Sequence, residues 1–242
     1  MKVHTPLYVA KFGGTSLSTA QNISKCAEIV KSNPARRFVV VSAAGKRFRG
    51  DTKMTDILID RLGNVCDELN VPLRDYCVSR GEQIMAVIFA HLVGYTYIDA
   101  ADYIVIRPDG EVDLNKTRKN FMRLDMKNNN YVMGGFYGSD KDGNVKTFAR
   151  GGSDYTGAIA AVCLDADLYE NFTDTYGVMT ADPNIDQTAV TILEMTYDAL
   201  HDMALNGAQV VFANCVPLLK IHSVPLRVDN TFDAGKKFTV VH

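Results

Sequence analysis

The sequence lacks the patterns that mark many metal and membrane proteins. Its five histidines form neither an HxH nor an HExxH pattern, so a tight transition-metal site has no candidate ligand set. No apolar run approaches the roughly 20 residues that span a bilayer, and the N-terminus has no signal-peptide core. These absences predict a cytoplasmic protein with no membrane partner and no metal site of its own.

Basic residues are not in excess either. The chain has 26 lysines and arginines against 28 aspartates and glutamates, which gives a net charge of -2. Binding to a nucleic-acid backbone needs a basic excess or at least a basic stripe. Nucleic acid is therefore not expected as a partner.

The cysteines show no pairing motif. Five are spread along the chain without CxxC spacing, and most lie within apolar helical or strand patterns: Cys26, Cys66, Cys77, Cys163 and Cys215. This distribution predicts reduced core thiols, as is usual in cytoplasmic proteins.

Two common nucleotide-binding loops are missing as well. The chain contains neither GxxxxGK[ST] nor GxGxxG, which excludes the P-loop and Rossmann folds. The spacing of serine, cysteine, histidine and aspartate also suggests no covalent nucleophile.

What is present is the composition of an α/β protein with a large core. The 242 residues are 47% hydrophobic and 22% charged, and no linker rich in Pro, Gly or Ser divides them. A strand near residue 8, a helix ending before Pro34 and an apolar strand at Phe38 to Ser42 form a βαβ unit, which predicts a parallel sheet. We expect one domain over residues 1–242.

The helices that follow are predicted from apolar periodicity. From Met54 to Leu69 the apolar residues recur at helical spacing, and Pro72 ends the pattern. A further helix is predicted from about Arg74 to Val93, and a surface helix from Lys116 to Lys127. Ile104 to Ile106 and Gln209 to Phe212 are predicted strands.

The stretch from Leu7 to Ser18, LYVAKFGGTSLS, has the pattern of an anion site. An apolar strand delivers Lys11 to its carboxyl end. The Gly13-Gly14 turn then lets backbone amides approach an anion before a helix begins. A second glycine pair behind a cation, Arg150 to Thr156, repeats the pattern.

These residue types suit phosphoryl transfer to a small acid. A lysine and backbone amides neutralise phosphate charge without a covalent nucleophile. An arginine such as Arg150 offers bidentate recognition of a carboxylate, and a glutamate such as Glu82 could pair with an ammonium group.

The ordered motifs resemble the catalytic domain of aspartokinase, in the amino-acid kinase superfamily. They occur in the family's order over nearly the whole chain: KFGGTS at 11–16, VVSAAGK at 40–46, MTDIL at 54–58, SRGE at 79–82, GFYGSD at 135–140, FARGGSDYTGA at 148–158, FTDTYGVMTADP at 172–183 and VDNTF at 228–232.

The resemblance implies a three-layer αβα sandwich around a mainly parallel sheet. It also implies transfer of the γ-phosphoryl of ATP, with Mg²⁺ carried by the nucleotide, to the β-carboxylate of L-aspartate, giving 4-phospho-L-aspartate. Residues up to about 150 would form the acceptor-binding half and residues from about 151 to 242 the nucleotide-binding half. A homodimer is the expected assembly.

By motif position the resemblance assigns a role to each candidate residue. Lys11 would stabilise the transferring phosphoryl group and Asp154 would orient Lys11. The substrate side would be formed by Ser42, Thr55, Glu82, Arg150 and Ser153, with Glu82 on the aspartate ammonium and Arg150 on the α-carboxylate. The nucleotide would be contacted by Lys11, Gly13, Gly14, Ser16, Thr173, Asp174, Gly177, Met179, Asp182 and Gln209.

Two positions depart from the family pattern. Asn184 stands where an arginine is usual, and Gln209 where a lysine is frequent. Each charged hydrogen bond contributes about 1.5–3 kcal/mol, so the loss of both predicts weaker ATP binding unless another cation substitutes. Lys46, Arg47 and Arg49 are the candidates.

Two lengths also differ from the family. The stretch between MTDIL and SRGE is much shorter than in typical members. The chain also ends where typical members continue into paired ACT domains, so feedback inhibition through ACT domains is not expected. Two alternatives to aspartate phosphorylation follow: a kinase of another small amino acid or carboxylate, and a homologue that binds ligand without turnover.

Overall fold

The computed structural model describes residues 5–148, 151–181, 185–206 and 211–242. Its strands are β1 Tyr8–Phe12, β2 Arg36–Val41, β3 Thr96–Ile98, β4 Tyr131–Gly134, β5 Tyr137–Ser139, β6 Val145–Thr147, β7 Leu168–Thr173, β8 Glu194–Met195, β9 Leu226–Asn230 and β10 Phe238–Val241. Its helices are α1 Ala20–Lys31, α2 Met54–Leu58, α3 Asn64–Glu68, α4 Arg74–Val78, α5 Arg80–Val93, α6 Leu114–Phe121, α7 Gly152–Cys163, α8 Tyr197–Leu205 and α9 Cys215–Ile221.

Within the described residues, eight strands form one sheet in the order β3-β4-β2-β1-β7-β9-β10-β8, and β5 and β6 form a separate hairpin. Every neighbouring pair of the main sheet is parallel except β9 and β10. In β1, Lys11 lies opposite Val40 of β2 and Asn171 of β7. The predicted mainly parallel sheet is confirmed.

Helices cover both faces of this sheet. One apolar cluster joins the sheet to α6, α7, α8 and α9, and a second joins the other face to α1 and α5. Strands buried on both faces need apolar residues at successive positions rather than in alternation. Phe38, Val39, Val40 and Val41 of β2 are all fully buried, and the three-layer αβα sandwich is confirmed.

The parallel arrangement fixes where polar side chains collect. The carboxyl ends of β1, β2, β4 and β7 meet at one edge of the sheet because these four adjacent strands run in the same direction. In open α/β sheets ligands bind at this edge. The loops after Phe12, Val41, Gly134 and Thr173 all begin there.

The predicted helix from Met54 is present but does not bury an apolar face. The chain forms α2, a π-helical turn at Ile59–Gly63, and α3. Most of its periodic apolar side chains are exposed: Met54, Ile57, Leu62, Val65 and Leu69. Periodicity shows that apolar residues share a helix face, but it does not show what that face contacts.

Three other predicted elements differ in extent. The predicted helix at Arg74 to Val93 is interrupted at Ser79, which separates α4 from α5. Ile104 to Ile106 forms only isolated bridges, through Val105 and Ile106, rather than a strand. Of the predicted strand from Gln209 to Phe212, residues 209 and 210 lie outside the described residues, and 211–212 are not in a strand.

Among the described helices, none combines the length and apolar character that crossing a bilayer requires.

Candidate active site

Lys11 lies at the carboxyl end of β1 and is 7% exposed. Its Nζ is 2.5 Å from Oδ1 of Asp154 in the first turn of α7. The other carboxylate oxygen of Asp154 accepts a hydrogen bond from the backbone N–H of Phe212, at 3.2 Å. Both oxygens of Asp154 therefore have partners, and the ammonium group of Lys11 is held in one place.

The turn after β1 brings the backbone close to a neighbouring loop. The N–H of Gly13 donates to the carbonyl of Phe172, at 3.3 Å, and the N–H of Gly45 donates to the carbonyl of Gly14, at 2.8 Å. A Cβ on Gly45 would lie 2.5 Å from the carbonyl carbon of Gly14. Only glycine fits at this crossing, where the loops after β1 and β2 meet.

Ser16 follows this turn and is fully buried. Its hydroxyl lies 2.7 Å from the hydroxyl of Thr231, and its carbonyl accepts a hydrogen bond from the thiol of Cys26. The side chain is therefore engaged with the protein interior. A contact between Ser16 and a nucleotide stays a prediction.

Glu82 in the first turn of α5 is 4% exposed. The hydroxyl of Thr55 donates to its Oε1, at 3.2 Å, but Oε2 has no hydrogen-bond partner among the described residues. Burial raises the pKa of Glu82 to about 7, against the opposing effect of nearby backbone amides and of Thr55. Glu82 is thus a buried carboxyl group with one free oxygen.

A series of close contacts connects the Lys11 pair to Glu82. Ser153 stands beside Asp154 in α7, and a Cβ on Gly135 would lie 2.7 Å from the Cβ of Ser153. A Cβ on the preceding Gly134 would lie 2.9 Å from the carbonyl oxygen of Glu82. The end of β4 therefore packs between α7 and α5 and fixes their separation.

A second series of contacts connects Glu82 to Lys11 through the loops after β2 and β1. The amide of Ala43, in the loop after β2, lies beside the carboxyl group of Glu82 and acts to lower its pKa. A Cβ on Gly14 would lie 3.1 Å from the carbonyl oxygen of Ala43. The turn that contains Gly14 begins at β1, the strand that carries Lys11. The elements that carry the cation and the carboxyl group are thus packed together at the carboxyl edge of the sheet.

The other predicted acceptor-side residues that the structure describes are in the loop after β2 and in α2 and α7. Ser42, Thr55 and Ser153 are all half-buried. Ser42 follows β2 directly and its N–H donates to the carbonyl of Phe12, at 3.1 Å. Thr55 is on α2, whose first residue Met54 donates from its N–H to the carbonyl of Ala44, at 3.1 Å.

Other predicted nucleotide-side residues lie at the end of β7 and in the loop that follows it. Thr173 ends β7, and exposed Asp174 follows it; the hydroxyl of Thr173 donates to a carboxylate oxygen of Asp174, at 3.3 Å. Buried Gly177 has a positive φ of 77°. Met179 is half-buried and forms a bridge to Thr191.

Some predicted positions fall outside the described residues. These are Arg150, Asp182, Asn184 and Gln209.

The three candidates for replacing the missing cations at the nucleotide, Lys46, Arg47 and Arg49, are all exposed. The Nε of Arg47 lies 2.7 Å from a carboxylate oxygen of Asp51. The guanidinium of Arg47 is therefore already paired.

The sequence prediction missed a backbone feature at Phe136. This residue has a φ of +78°, which is unusual for a side chain of its size. Hydrogen bonds hold it on both sides: its N–H donates to Thr156 Oγ1, at 3.1 Å, and its carbonyl accepts from the N–H of Phe148, at 2.8 Å. Strained backbone of this kind clusters at functional sites. The motif GFYGSD marks the position, but no sequence signal reveals the φ angle.

A second missed residue is Asn171, which lies beside Lys11 in the sheet. It is 1% exposed, and neither polar atom of its side chain has a partner among the described residues. The signal was available, since a polar asparagine interrupts an otherwise buried strand. A buried side-chain amide without hydrogen-bond partners destabilises the folded protein. In this protein that unsatisfied amide lies next to Lys11 in the candidate site.

Comparison with known proteins identifies the family. Residues 6–230 match the model described as "Amino acid kinase family". The chain belongs to the amino acid kinase family. This amino acid kinase is 30% identical to "Aspartokinase 3" of Bacillus subtilis, over 96% of this chain and 63% of the relative. It is 33% identical to "Aspartate kinase Ask_LysC" of Stutzerimonas stutzeri, over 95% of this chain and 57% of the relative.

Solved structures agree on the fold. The crystal structure of aspartate kinase from Clostridium acetobutylicum superimposes with a TM-score of 0.85 and 30% identity, over 98% of this chain and 62% of that one. E. coli aspartokinase III in complex with aspartate and ADP gives a TM-score of 0.83 at 24% identity, over 97% and 64%. The amino acid kinase described here spans about three fifths of the length of these relatives.

Among the described residues, no group of three or more His, Cys, Asp or Glu side chains is arranged to hold a metal ion. Kinases commonly hold Mg²⁺ through substrate phosphates and one or two carboxylates rather than in an all-protein cage.

Proposed function

We propose that this amino acid kinase transfers the γ-phosphoryl group of ATP to the β-carboxylate of L-aspartate. A carboxylate oxygen of the acceptor would attack the γ-phosphorus, the bond from that phosphorus to the bridging oxygen would break, and ADP would leave with the bond's electron pair. The products would be 4-phospho-L-aspartate and ADP. No covalent intermediate on the protein is required.

The Lys11 pair supports the phosphoryl end of this proposal. Negative charge on the transferring group is shared among its oxygens in the transition state, and a fixed cation stabilises it without reorganising. Asp154 holds Lys11 from the side of α7, so the ammonium group is oriented before the nucleotide binds. The backbone at Gly13 and Gly14 would supply the close approach, with Thr173, Asp174, Gly177 and Met179 along the nucleotide.

The observation that carries the acceptor assignment is the free oxygen of Glu82. A buried carboxyl group with an unpaired oxygen is costly unless a cation joins it. The ammonium group of an α-amino acid would supply that cation, and the half-buried hydroxyls of Ser42, Thr55 and Ser153 would bind the rest of the acceptor. Arg150 is proposed to take the α-carboxylate, by its position in the motif.

The division of labour along the chain is also proposed. Residues 1–150 would bind the acceptor and residues 151–242 the nucleotide, within a single domain. Mg²⁺ would arrive with ATP and neutralise charge on its phosphates. Asp182 and Gln209 keep their proposed contacts with the nucleotide, and Gln209 would make its contact without a positive charge.

The test is product identification with a series of acceptors. The chain, Mg²⁺ and ATP are incubated with L-aspartate, succinate or β-alanine, and acyl phosphate is trapped with hydroxylamine while ADP is measured. Succinate lacks the ammonium group that Glu82 would bind, and β-alanine lacks the α-carboxylate that Arg150 would bind. We expect hydroxamate from L-aspartate and far less from either analogue.

Other outcomes distinguish the alternatives. Turnover with a different small amino acid but not with L-aspartate would mean that the protein catalyses the same phosphoryl transfer to another acceptor. Binding of L-aspartate without ADP formation would contradict the kinase assignment and indicate a ligand-binding homologue.

We further infer that the protein forms a homodimer through the outer face of α5. Four aliphatic side chains on that face are between 38% and 58% exposed: Ile84, Val87, Ile88 and Leu92. The opposite face of α5 is buried against the sheet, so the helix is apolar on both sides, as in helices that a partner covers. The exposed positions carry no Asp, Glu, Lys or Arg, so a second copy of the same face matches it without unpaired charge.

The neighbouring helix α1 provides the control. It packs on the same side of the sheet, but its exposed positions include four polar residues: Gln21, Ser24, Glu28 and Lys31. We expect Ile88→Asp to convert a dimer into a monomer in light scattering across a concentration series. Ser24→Asp should leave the mass unchanged. A monomeric wild-type chain, or an Ile88→Asp variant that remains dimeric, would contradict this assignment.

A further inference from the structure

Two cysteines of the exposed helical segment face each other. Cys66 on α3 and Cys77 on α4 have their Sγ atoms 3.9 Å apart. Both are only half-buried, whereas Cys26, Cys163 and Cys215 are buried. The prediction that all five are core thiols is wrong for this pair, because the helices that carry them lie at the surface.

Local contacts hold the two helices together on either side of the sulfurs. The chain between them turns back at Asn70, which has a φ of 52°. The N–H of Val71 donates to the carbonyl of Cys66, at 2.8 Å. A salt bridge also joins Arg74 of α4 to Asp67 of α3. The α3–α4 turn and this salt bridge thus keep the two helices that carry the thiols side by side.

The remaining gap can be closed without disturbing the core. A disulfide has its sulfurs about 2.05 Å apart, so the thiols need to approach by roughly 2 Å. Neither α2 nor α3 has a buried residue, and in α4 only Val78 is buried. Side-chain rotation together with a small shift of α3 against α4 therefore costs little packing.

We propose that Cys66 and Cys77 form a reversible dithiol pair, a covalent modification site that reacts with oxidants of the disulfide class. One thiolate attacks a sulfur of oxidised glutathione, which forms a mixed disulfide and releases one molecule of reduced glutathione. The second protein thiolate then attacks the protein sulfur of that mixed disulfide and releases the other. Two protein thiols lose two protons and two electrons, and the oxidant is reduced to two thiols.

The modified segment lies next to the acceptor side of the site. Asp75 of α4 accepts a hydrogen bond from the hydroxyl of Thr147 in β6, at 2.7 Å. From α4 the chain passes through Ser79 directly into α5, which carries Glu82. A crosslink at Cys66 and Cys77 would therefore fix the segment that leads into this helix. The crosslink itself does not depend on the proposed function.

The experiment counts thiols in the native chain. The protein is equilibrated with increasing ratios of oxidised to reduced glutathione, free thiols are alkylated, and the intact mass is measured. We expect free thiols to fall from five to three with the loss of two hydrogens, a digest that links the peptides of Cys66 and Cys77, and full recovery with dithiothreitol. A trivalent arsenical, which needs two adjacent thiols, should bind the reduced wild-type chain once.

Variants supply the matched controls. Cys66→Ser and Cys77→Ser should each keep the remaining thiol as a glutathione adduct and lose arsenical binding, whereas Cys163→Ser should retain the crosslink. The proposal is overturned if all five thiols stay free while dithiothreitol is oxidised in the same buffer. A crosslink that survives in Cys66→Ser, or a wild-type chain that binds no arsenical, would also overturn it.

Discussion

The two ends of the candidate site differ in how their charged groups are satisfied. At the proposed phosphoryl end, Lys11 has Asp154 as its counter-charge, and Asp154 also accepts a hydrogen bond from the backbone N–H of Phe212. At the proposed acceptor end, the hydroxyl of Thr55 donates to one oxygen of Glu82, and Oε2 has no hydrogen-bond partner among the described residues. The Lys11–Asp154 pair is therefore satisfied before substrate arrives, whereas Glu82 still has an oxygen without a partner.

This difference shows how each end would act. A paired cation keeps its position and its charge through a reaction cycle, which suits stabilisation of a transition state. An unpaired buried carboxyl group binds a cation with a gain in free energy, which suits selection of a substrate with an ammonium group. Substitutions at the first end should therefore change kcat, and those at the second should change the KM of the acceptor.

The largest effect is expected for Lys11→Ala. Loss of the fixed cation should lower kcat by about 100- to 1,000-fold, the range seen when one preorganised stabiliser of transition-state charge is removed. ADP formation with saturating L-aspartate and ATP measures it. Lys220→Ala is the matched control, because Lys220 is also 2.5 Å from a carboxylate, that of Asp198, but both side chains are at least half exposed.

A Lys11→Ala variant with near-normal kcat would contradict the proposal that Lys11 stabilises the transferring phosphoryl group. Folding must be checked by circular dichroism, since the substitution leaves Asp154 without its buried counter-charge, which costs about 3–5 kcal/mol in comparable pairs.

The next effect is expected for Asp154→Asn, which leaves Lys11 in place without its charged partner. The loss of a charge-assisted contact corresponds to about a 10- to 100-fold fall in kcat. The control is Glu170→Gln, which breaks the buried ion pair between Glu170 and Arg36. In that pair, Nε of Arg36 lies 2.6 Å from Oε2 of Glu170. Both variants should unfold at lower temperature, but only Asp154→Asn should lose turnover. Equal kinetic losses in the two would show that a buried ion pair matters here for stability alone.

Glu82→Gln tests the acceptor end. The KM of L-aspartate should rise by about tenfold or more, while the KM of ATP stays within about twofold, because a neutral amide pairs less strongly with an ammonium group. Steady-state kinetics with each substrate varied in turn measures both constants. A rise in both constants would mean that Glu82 supports the fold of the whole site.

The same variant should be more stable than the wild type at alkaline pH. The folded-state pKa of Glu82, about 7, is above the ordinary value of 4.5. The folded protein therefore holds a proton that the unfolded chain releases as pH rises from about 4.5 to 7, and stability falls through that window. The gain of Glu82→Gln in free energy of unfolding should grow over this range. A gain that is independent of pH would contradict the titration.

The smallest effect is expected for Thr55→Val. It removes one neutral donor to Glu82, and the loss of such a hydrogen bond should raise the acceptor KM by only about threefold. Thr52→Val is the matched control, since Thr52 is exposed in the preceding loop. Equal effects of Thr55→Val and Glu82→Gln would mean that the hydroxyl, and not the free carboxyl oxygen, dominates acceptor recognition.

Sequence reasoning predicted the parallel sheet because its central strands carry unbroken apolar runs, such as 38–41, whose only packing solution is burial on both faces. The turn at Gly13 and Gly14 was predicted for a similar reason, since adjacent glycines after a strand serve close backbone approach. Both predictions rest on local chemistry.

The features that were missed depend on neighbours distant in sequence. The exposure of Leu62 and Val65 follows from how little of the chain packs on α2 and α3, which periodicity does not encode. Likewise, the sequence marked Glu82 as a candidate partner for an ammonium group, but its free oxygen became visible only when the loop at Ala43 and the strand end at Gly134 were placed around it.

The most direct test of this account is the proton balance of acceptor binding. L-aspartate is titrated calorimetrically at pH 6.5 in two buffers that differ in ionisation enthalpy, with wild type and Glu82→Gln. An incoming ammonium group should lower the pKa of Glu82 and release a proton from the wild-type chain, whereas the variant should bind weakly and release none. Binding without proton release, or the same release from both chains, would contradict the assignment of Glu82 as the acceptor's ammonium site.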